Sequence, residues 1–200
     1  MNFYSNAAKM VAPFVLAFVA AGGQAQAATL DFDSLSSASV VASGYGGLNW
    51  DNFWAFDTSS YQSSGYVNGT VSPHFVALNA WEDPASFSSS VLFTFNSAYF
   101  TAAWNTGLTV EVKGFQGGNL VNSTSFTVDT VGPSLITFNW ADINQVTFVS
   151  YGGVDAGYGG GGTHFAMDNV TINAVPEPGA LALVLAGLGV FGVIAKRRTA

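Results

Sequence analysis

The sequence predicts an all-β fold for residues 28–174, an antiparallel β-sandwich of the jelly-roll type. Three observations lead to this prediction. β-branched and aromatic residues recur in short runs that alternate with polar residues, the pattern of half-buried strands. The periodicity of an amphipathic helix is nearly absent from the same region. Gly, Asn, Ser and Pro separate about ten such runs, which is typical of sandwiches and barrels.

Residues 1–27 are typical of a secretory signal peptide, and we expect them to form an apolar signal helix. A short basic region and an apolar stretch come before the small residues Ala25 and Ala27, which match an A-x-A cleavage site. Cleavage there would make Ala28 the first residue of the exported protein.

The clearest predicted strand is Leu108–Lys113, in which apolar and polar residues alternate strictly. Gly117, Gly118 and Asn119 follow, and they predict a hairpin turn because Gly and Asn tolerate positive φ angles. The glycine-rich residues 151–162 predict a loop before the last strand. Further strands are predicted at 29–32, 52–56, 75–79, 91–95, 99–104, 126–129, 135–139, 146–148 and 169–173.

Charge and cysteine content exclude several classes of function. Lys113 is the only Lys or Arg between residues 28 and 174, where nearly all of the acidic residues lie. Nucleic-acid binding is excluded because phosphate neutralisation needs clustered Lys and Arg. The absence of cysteine excludes thiol catalysis, zinc–thiolate sites and iron–sulfur clusters.

Catalytic patterns are also missing, so we predict that the protein is not an enzyme. His74 and His164 are the only histidines, and no G-x-S-x-G motif accompanies them. Glu82 and Asp83 are the only adjacent acidic pair in the domain, and Pro84 places them in a turn rather than across a cleft. A secreted hydrolase remains the weakest alternative.

The five tryptophans suggest contacts with sugars. An exposed indole beside Asn or Asp can stack on the apolar face of a sugar while the polar group binds its hydroxyls. Trp50, Trp54 and Trp81 have such neighbours and are the candidate carbohydrate-binding residues. The alternative for each is a place in the core, which we expect for Trp104 and Trp140.

The C-terminal segment, residues 175–200, has three consecutive parts. Its apolar part would span roughly 25 Å as a helix at about 1.5 Å per residue, near the lower limit for crossing a hydrocarbon core. The cations that follow would remain on the cytoplasmic side. In order, the parts are the turn Pro176, Glu177 and Pro178, the apolar residues 179–195, and the basic cluster Lys196, Arg197 and Arg198.

This order resembles the PEP-CTERM sorting signal of Gram-negative bacteria, which a membrane transpeptidase called exosortase handles. The resemblance implies that Pro176–Pro178 are the processing motif, 179–195 a transmembrane helix, and Lys196–Arg198 a stop-transfer cluster. It further implies export across the inner membrane, anchoring that is transient or retained, and a final place at the cell surface or in the extracellular matrix of a biofilm. An ordinary C-terminal membrane anchor is the alternative.

The domain resembles galactose-binding-like and carbohydrate-module jelly rolls. The residues that carry this resemblance are 30–33, 45–53 and 165–170. In such folds the first and last strands lie side by side, which would bring Asp31 or Asp33 near Asp168. Carboxylates that meet there suit a structural Ca²⁺ ion, which prefers hard oxygen ligands. The alternative is that these acids occupy solvent-facing strand and turn positions.

These observations predict an exported, non-enzymatic cell-surface or matrix protein. The alternative is a carbohydrate-binding module for extracellular polysaccharide. An exposed cluster of aromatic rings beside polar groups would favour the module.

Overall fold

Antiparallel strands make up most of the described part of the chain. The computed structural model describes residues 27–60 and 62–173. One helical turn, α1 (Gly65–Asn68), and short 3₁₀ segments at Tyr45–Gly47, Thr58–Ser60 and Ala80–Glu82 connect the strands. The strands are β1 (Ala27–Leu30), β2 (Ser39–Val40), β3 (Asn49–Asp51), β4 (Phe53–Asp57), β5 (Phe75–Asn79), β6 (Ala85–Ala102), β7 (Asn105–Gln116), β8 (Asn119–Val128), β9 (Ser134–Asp155) and β10 (Phe165–Asn173).

Two long strands, β6 and β9, pair with each other in the middle of the strand order. Hydrogen bonding follows the order β2-β4-β5-β10-β6-β9-β7-β8, while β1 pairs with β10 and β3 pairs with β6. The first part of β6 pairs with β3 and the second part with β10, and the register of β6 against β9 shifts between these two parts. Such irregularities bend strands. The arrangement is consistent with a β-sandwich in which both strands pass from one layer to the other.

An aromatic core lies between the two layers. The fully buried ring of Phe148 in β9 lies 5.6 Å from Phe53 in β4 and 5.9 Å from Phe165 in β10, measured between ring centroids. Neither β4 nor β10 is hydrogen-bonded to β9, so these contacts cross from layer to layer. The prediction of an all-β antiparallel fold is confirmed, and the jelly-roll connectivity remains a prediction.

Strand alternation was predicted correctly, but several strand boundaries were not. In β7, Leu108, Val110 and Val112 are fully buried, and the turn after it has φ angles of 57° at Gly117 and 83° at Gly118. The separate strands predicted at 91–95 and 99–104 fall in the single strand β6, which ends at Ala102, and those at 135–139 and 146–148 both lie in β9. Strand β9 also includes residues 151–155, which were predicted to belong to the glycine-rich loop. Bulges allow each strand to continue where the alternation breaks.

The two predicted targeting segments lie outside the described residues, apart from Ala27 and Ala28 of the cleavage site. Ala27 and Ala28 belong to β1, where they pair with Asn173 and Ile172. Within residues 27–60 and 62–173, no helix is both long and apolar enough to cross a membrane.

Candidate functional site

An aromatic pocket lies beside the 3₁₀ turn that joins β5 and β6. Its volume is about 330 Å³. Residues of β4 and β5 contribute to its lining, and half of the lining residues are aromatic. The residues that line it are Ala38, Trp54, Ala55, Phe56, Tyr66, Leu78, Ala80, Trp81, Trp104 and His164.

Trp81 projects into solvent at the wall of this pocket. Its side chain is 74% exposed, and its indole meets Trp54 edge to face with ring centroids 5.9 Å apart. The backbone φ angle is 56° at Trp81 and 65° at Glu82. Left-handed conformations cost non-glycine residues energy and are concentrated at binding and catalytic sites. The left-handed turn at Trp81 and Glu82 therefore coincides with the exposed indole.

Neighbouring polar groups hold the strained turn in place. The Asn52 side-chain amide donates to the Ala80 carbonyl at 2.9 Å, and the Asp83 N–H donates to the same oxygen at 3.1 Å. The Glu82 carboxylate accepts the Thr163 N–H at 2.9 Å. Contacts from two other parts of the chain thus over-determine the conformation that presents Trp81.

His164 lines the pocket, and the carboxylate of Glu82 lies beside its ring. The His164 Nδ1 atom lies 2.8 Å from the Asn79 carbonyl oxygen. Because a carbonyl can only accept, Nδ1 carries the hydrogen, and Nε2 is the acceptor in the neutral ring. Nε2 lies 3.9 Å from Glu82 Oε1. A hydroxyl donor of a ligand in the pocket would find an acceptor at Nε2 of the neutral ring.

The three tryptophans predicted to bind sugar divide into a pair and a single core residue. Trp54 and Trp81 lie together at the pocket. Trp50 instead lies in the core, 6% exposed, with its ring centroid 5.3 Å from that of Phe53 and its indole N–H donating to the Tyr45 carbonyl. Burial therefore leaves Trp54 and Trp81 as the accessible part of the predicted set.

Trp104, which the sequence predicted to be a core residue, is partly buried and packs against a core cluster that includes Tyr66, and it also lines the pocket. Its ring meets Tyr66 edge to face with centroids 5.5 Å apart. The Ala103 N–H donates to the His164 carbonyl at 3.0 Å, which places this part of the chain beside His164. No spacing in the sequence could reveal this, since the two segments meet only through the sheet.

Asp168, one of the predicted calcium ligands, is buried and surrounded by donors. Asp168 is only 1% exposed. Its Oδ2 atom accepts hydrogen bonds from the N–H groups of Val71 at 2.7 Å and Ser72 at 2.8 Å. Burial raises the pKa of this carboxyl above its ordinary value, while the hydrogen bonds from Ser72, Val71 and Asn169 act in the opposite direction. Asp168 thereby ties the segment before β5 to β10.

Asp31 and Asp33 follow β1, which pairs with β10 as expected. The Ser72 hydroxyl lies 3.0 Å from the Asp31 carbonyl oxygen and 2.9 Å from Asp168 Oδ1, so Ser72 is a common neighbour of the two. Asp33 Oδ1 instead accepts the N–H groups of His74 and Phe75. Among the described residues, no group of three or more His, Cys, Asp or Glu side chains is arranged to hold a metal ion. The calcium ion stays a prediction.

The C-terminal segment matches a known sorting motif. Residues 174–198 match the family model described as the PEP-CTERM protein-sorting motif. The match confirms the resemblance that the Pro-Glu-Pro turn, apolar stretch and basic cluster suggested. It indicates export and exosortase-mediated sorting to the surface in Gram-negative bacteria.

Solved structures that resemble the described domain have little sequence in common with it. An agarase, AgWH50C, is 8% identical with a TM-score of 0.40, over 76% of this chain and 25% of the agarase. The module CBM51 from Clostridium perfringens GH95, solved with methyl-galactose, is 13% identical with a TM-score of 0.38, over 72% of this chain and 99% of the module. The module TmCBM61, solved with β-1,4-galactotriose, is 9% identical with a TM-score of 0.31, over 64% of this chain and 87% of the module. The chain thus spans a quarter of the agarase. No curated protein matches it significantly.

Proposed function

We propose that this is a non-enzymatic, exported surface or matrix protein whose domain binds neutral polysaccharide at the aromatic pocket. The observation that carries the proposal is the Trp81 indole, 74% exposed on a strained turn and edge to face with Trp54. A core tryptophan needs no exposed, left-handed turn. A sugar-binding tryptophan needs an accessible ring that is held in one orientation.

The chemistry of the pocket matches that of a neutral sugar. Indole faces contact the apolar C–H face of a pyranose, and each such contact contributes on the order of 1 kcal/mol. Nε2 of the neutral His164 ring accepts a hydrogen bond from a sugar hydroxyl, and the Glu82 carboxylate, 3.9 Å from Nε2, is a second acceptor beside the pocket. Acidic sugars are disfavoured because the only Lys or Arg of the domain, Lys113, pairs with Glu111 at 3.1 Å in β7. Weak binding, with a Kd in the micromolar range or above, is expected per site.

A glycan array tests the binding proposal, with the purified protein probed in calcium and in chelator. We expect signals from neutral or acetylated glycans and none from anionic ones. Trp81→Ala removes the exposed ring and should abolish the signal. Tyr151→Ala is the matched control, since this ring is 51% exposed in β9 and does not line the pocket. Absence of binding to every glycan would leave a purely structural role.

The proposed route to the surface follows from the tail. The signal peptide would be cleaved before Ala28, residues 179–195 would anchor the chain in the inner membrane, and exosortase would act at Pro176–Pro178. Mass spectrometry of the secreted fraction should find an N-terminus at Ala28 and no peptide containing Lys196–Arg198. Recovery of that C-terminal peptide from protein that has left the membrane would contradict exosortase processing. Its presence in the membrane fraction alone would indicate a plain anchor.

A further inference from the structure

A second pocket adjoins the aromatic pocket, and Trp104 lines both of them. Its volume is about 300 Å³, close to that of the first. The residues that line it are Gln62, Ser63, Trp104, Tyr158, Gly159 and Gly160. We propose that the two pockets are consecutive subsites for adjoining sugar units, so that the protein recognises a polysaccharide chain rather than a single sugar. This inference rests on the proposed function.

Trp104 is positioned from both sides as a shared wall. On the side of the first pocket, the Ala103 N–H donates to the His164 carbonyl at 3.0 Å. On the side of the second, the Ala156 N–H donates to the Trp104 carbonyl at 2.9 Å. The backbone around this indole is therefore fixed to His164, which lines the first pocket, and to the loop whose residues 158–160 line the second.

The second pocket depends on close packing between Trp104 and the loop after β9. A Cβ atom at Gly160 would lie 2.6 Å from three carbon atoms of the Trp104 ring. Carbon atoms in contact are normally 3.5–4.0 Å apart, so only glycine allows the loop to lie against the indole. This contact places Tyr158 and Trp104 on the wall of one pocket.

The polar groups of the second pocket suit an uncharged sugar. Gln62 and Ser63 are exposed and offer an amide and a hydroxyl, which can both donate and accept hydrogen bonds. The Tyr158 hydroxyl accepts from the Asn68 side-chain amide at 3.3 Å, and that amide also donates to the Thr130 carbonyl at 2.8 Å. The Tyr158 ring is therefore held in position, which lowers the entropy that ligand binding costs.

The two pockets make different predictions for short and long ligands. If one sugar occupies each subsite, a disaccharide should bind at least about tenfold more tightly than a monosaccharide, a gain equal to about 1.4 kcal/mol. Stacking and hydrogen bonds at a second subsite are sufficient for that gain. A protein with one subsite would show no dependence on chain length.

The test measures the affinity of the purified protein for gluco-, manno- and galacto-oligosaccharides of one to four units by titration calorimetry. Variants Gln62→Ala and Tyr158→Ala should lose the gain with chain length and retain monosaccharide binding. Trp81→Ala should lose binding at every length, and Tyr151→Ala should change neither quantity. Melting temperatures close to that of the wild type show that a loss does not come from unfolding.

The outcomes separate this inference from the proposed function. Equal affinity for one unit and for four units, or an unchanged gain in both second-pocket variants, overturns the two-subsite inference and leaves sugar binding intact. Absence of binding at every length overturns the proposed function itself. A gain that depends on Gln62 or Tyr158 supports the inference.

Discussion

The left-handed backbone at Trp81 can be tested by comparing two substitutions that remove the same ring. Trp81→Ala and Trp81→Gly both lose the edge contact with Trp54, so that loss cancels in the comparison. Alanine retains the cost of a φ angle of 56°, about 1–2 kcal/mol, whereas glycine does not. Glycine also has a more disordered unfolded state, which costs about 0.4–1 kcal/mol. We therefore expect the glycine variant to be more stable by about 0.5–1 kcal/mol.

Denaturant unfolding at 25 °C measures this difference, and Tyr151 provides the control. Tyr151 lies in β9 and has no positive φ angle. Tyr151→Gly should therefore be less stable than Tyr151→Ala by about 0.5–1 kcal/mol. Both Trp81 variants should lose sugar binding. A glycine variant at Trp81 that is destabilised relative to alanine as much as at Tyr151 would refute the strain argument.

Further predictions concern the core and the buried carboxylate. Phe148→Ala should lower the free energy of unfolding by about 3–5 kcal/mol in denaturant melts, whereas Val131→Ala, at a position 79% exposed, should change it by less than about 0.5 kcal/mol. Because burial raises the pKa of Asp168 above 3.8, the folded state keeps a proton that the unfolded state has released. The contribution of Asp168 to the free energy of unfolding should therefore fall as pH rises from 3.8 through the raised pKa. The variant Asp168→Asn should lose this pH dependence in denaturant melts. A pH profile of stability that is the same in the variant and the wild type would contradict the raised pKa of Asp168. Calcium at a hundredfold excess over its Kd should stabilise the fold by roughly 2.7 kcal/mol. A melting temperature that is equal in calcium and in chelator would contradict the calcium prediction. A calcium-dependent shift that persists in Asp168→Ala would contradict the role of Asp168 as a ligand.

The tail and the strand pattern could be recognised from the sequence because both are local. The sorting motif depends on the order of a turn, an apolar stretch and a basic cluster, which is independent of the rest of the fold. Alternation in Leu108–Lys113 reflects the two-residue period of a strand with one buried face. The side-by-side position of β1 and β10 was expected by resemblance, and the pairing of Leu30 with Val170 confirms it.

The candidate site could be predicted only in part from the sequence. Trp50, Trp54 and Trp81 each have an acid or amide nearby in the sequence, yet Trp50 is buried among core rings and Trp81 is exposed. The difference arises from the register of β3 against β6 and from a turn with positive φ angles. Neither the strand register nor the turn conformation can be read from the residues next to a tryptophan.

The sequence by itself determined the class of fold, the acidic surface and the sorting signal, because periodicity, charge and a linear motif are properties of consecutive residues. Only the tertiary structure decided which aromatic rings share a pocket. Trp104 reaches the pocket because Ala103 hydrogen-bonds to His164, and Glu82 reaches His164 because Thr163 holds its carboxylate. These contacts join residues about 60 to 80 positions apart, and they form only when β5, β6 and β10 are paired in one sheet.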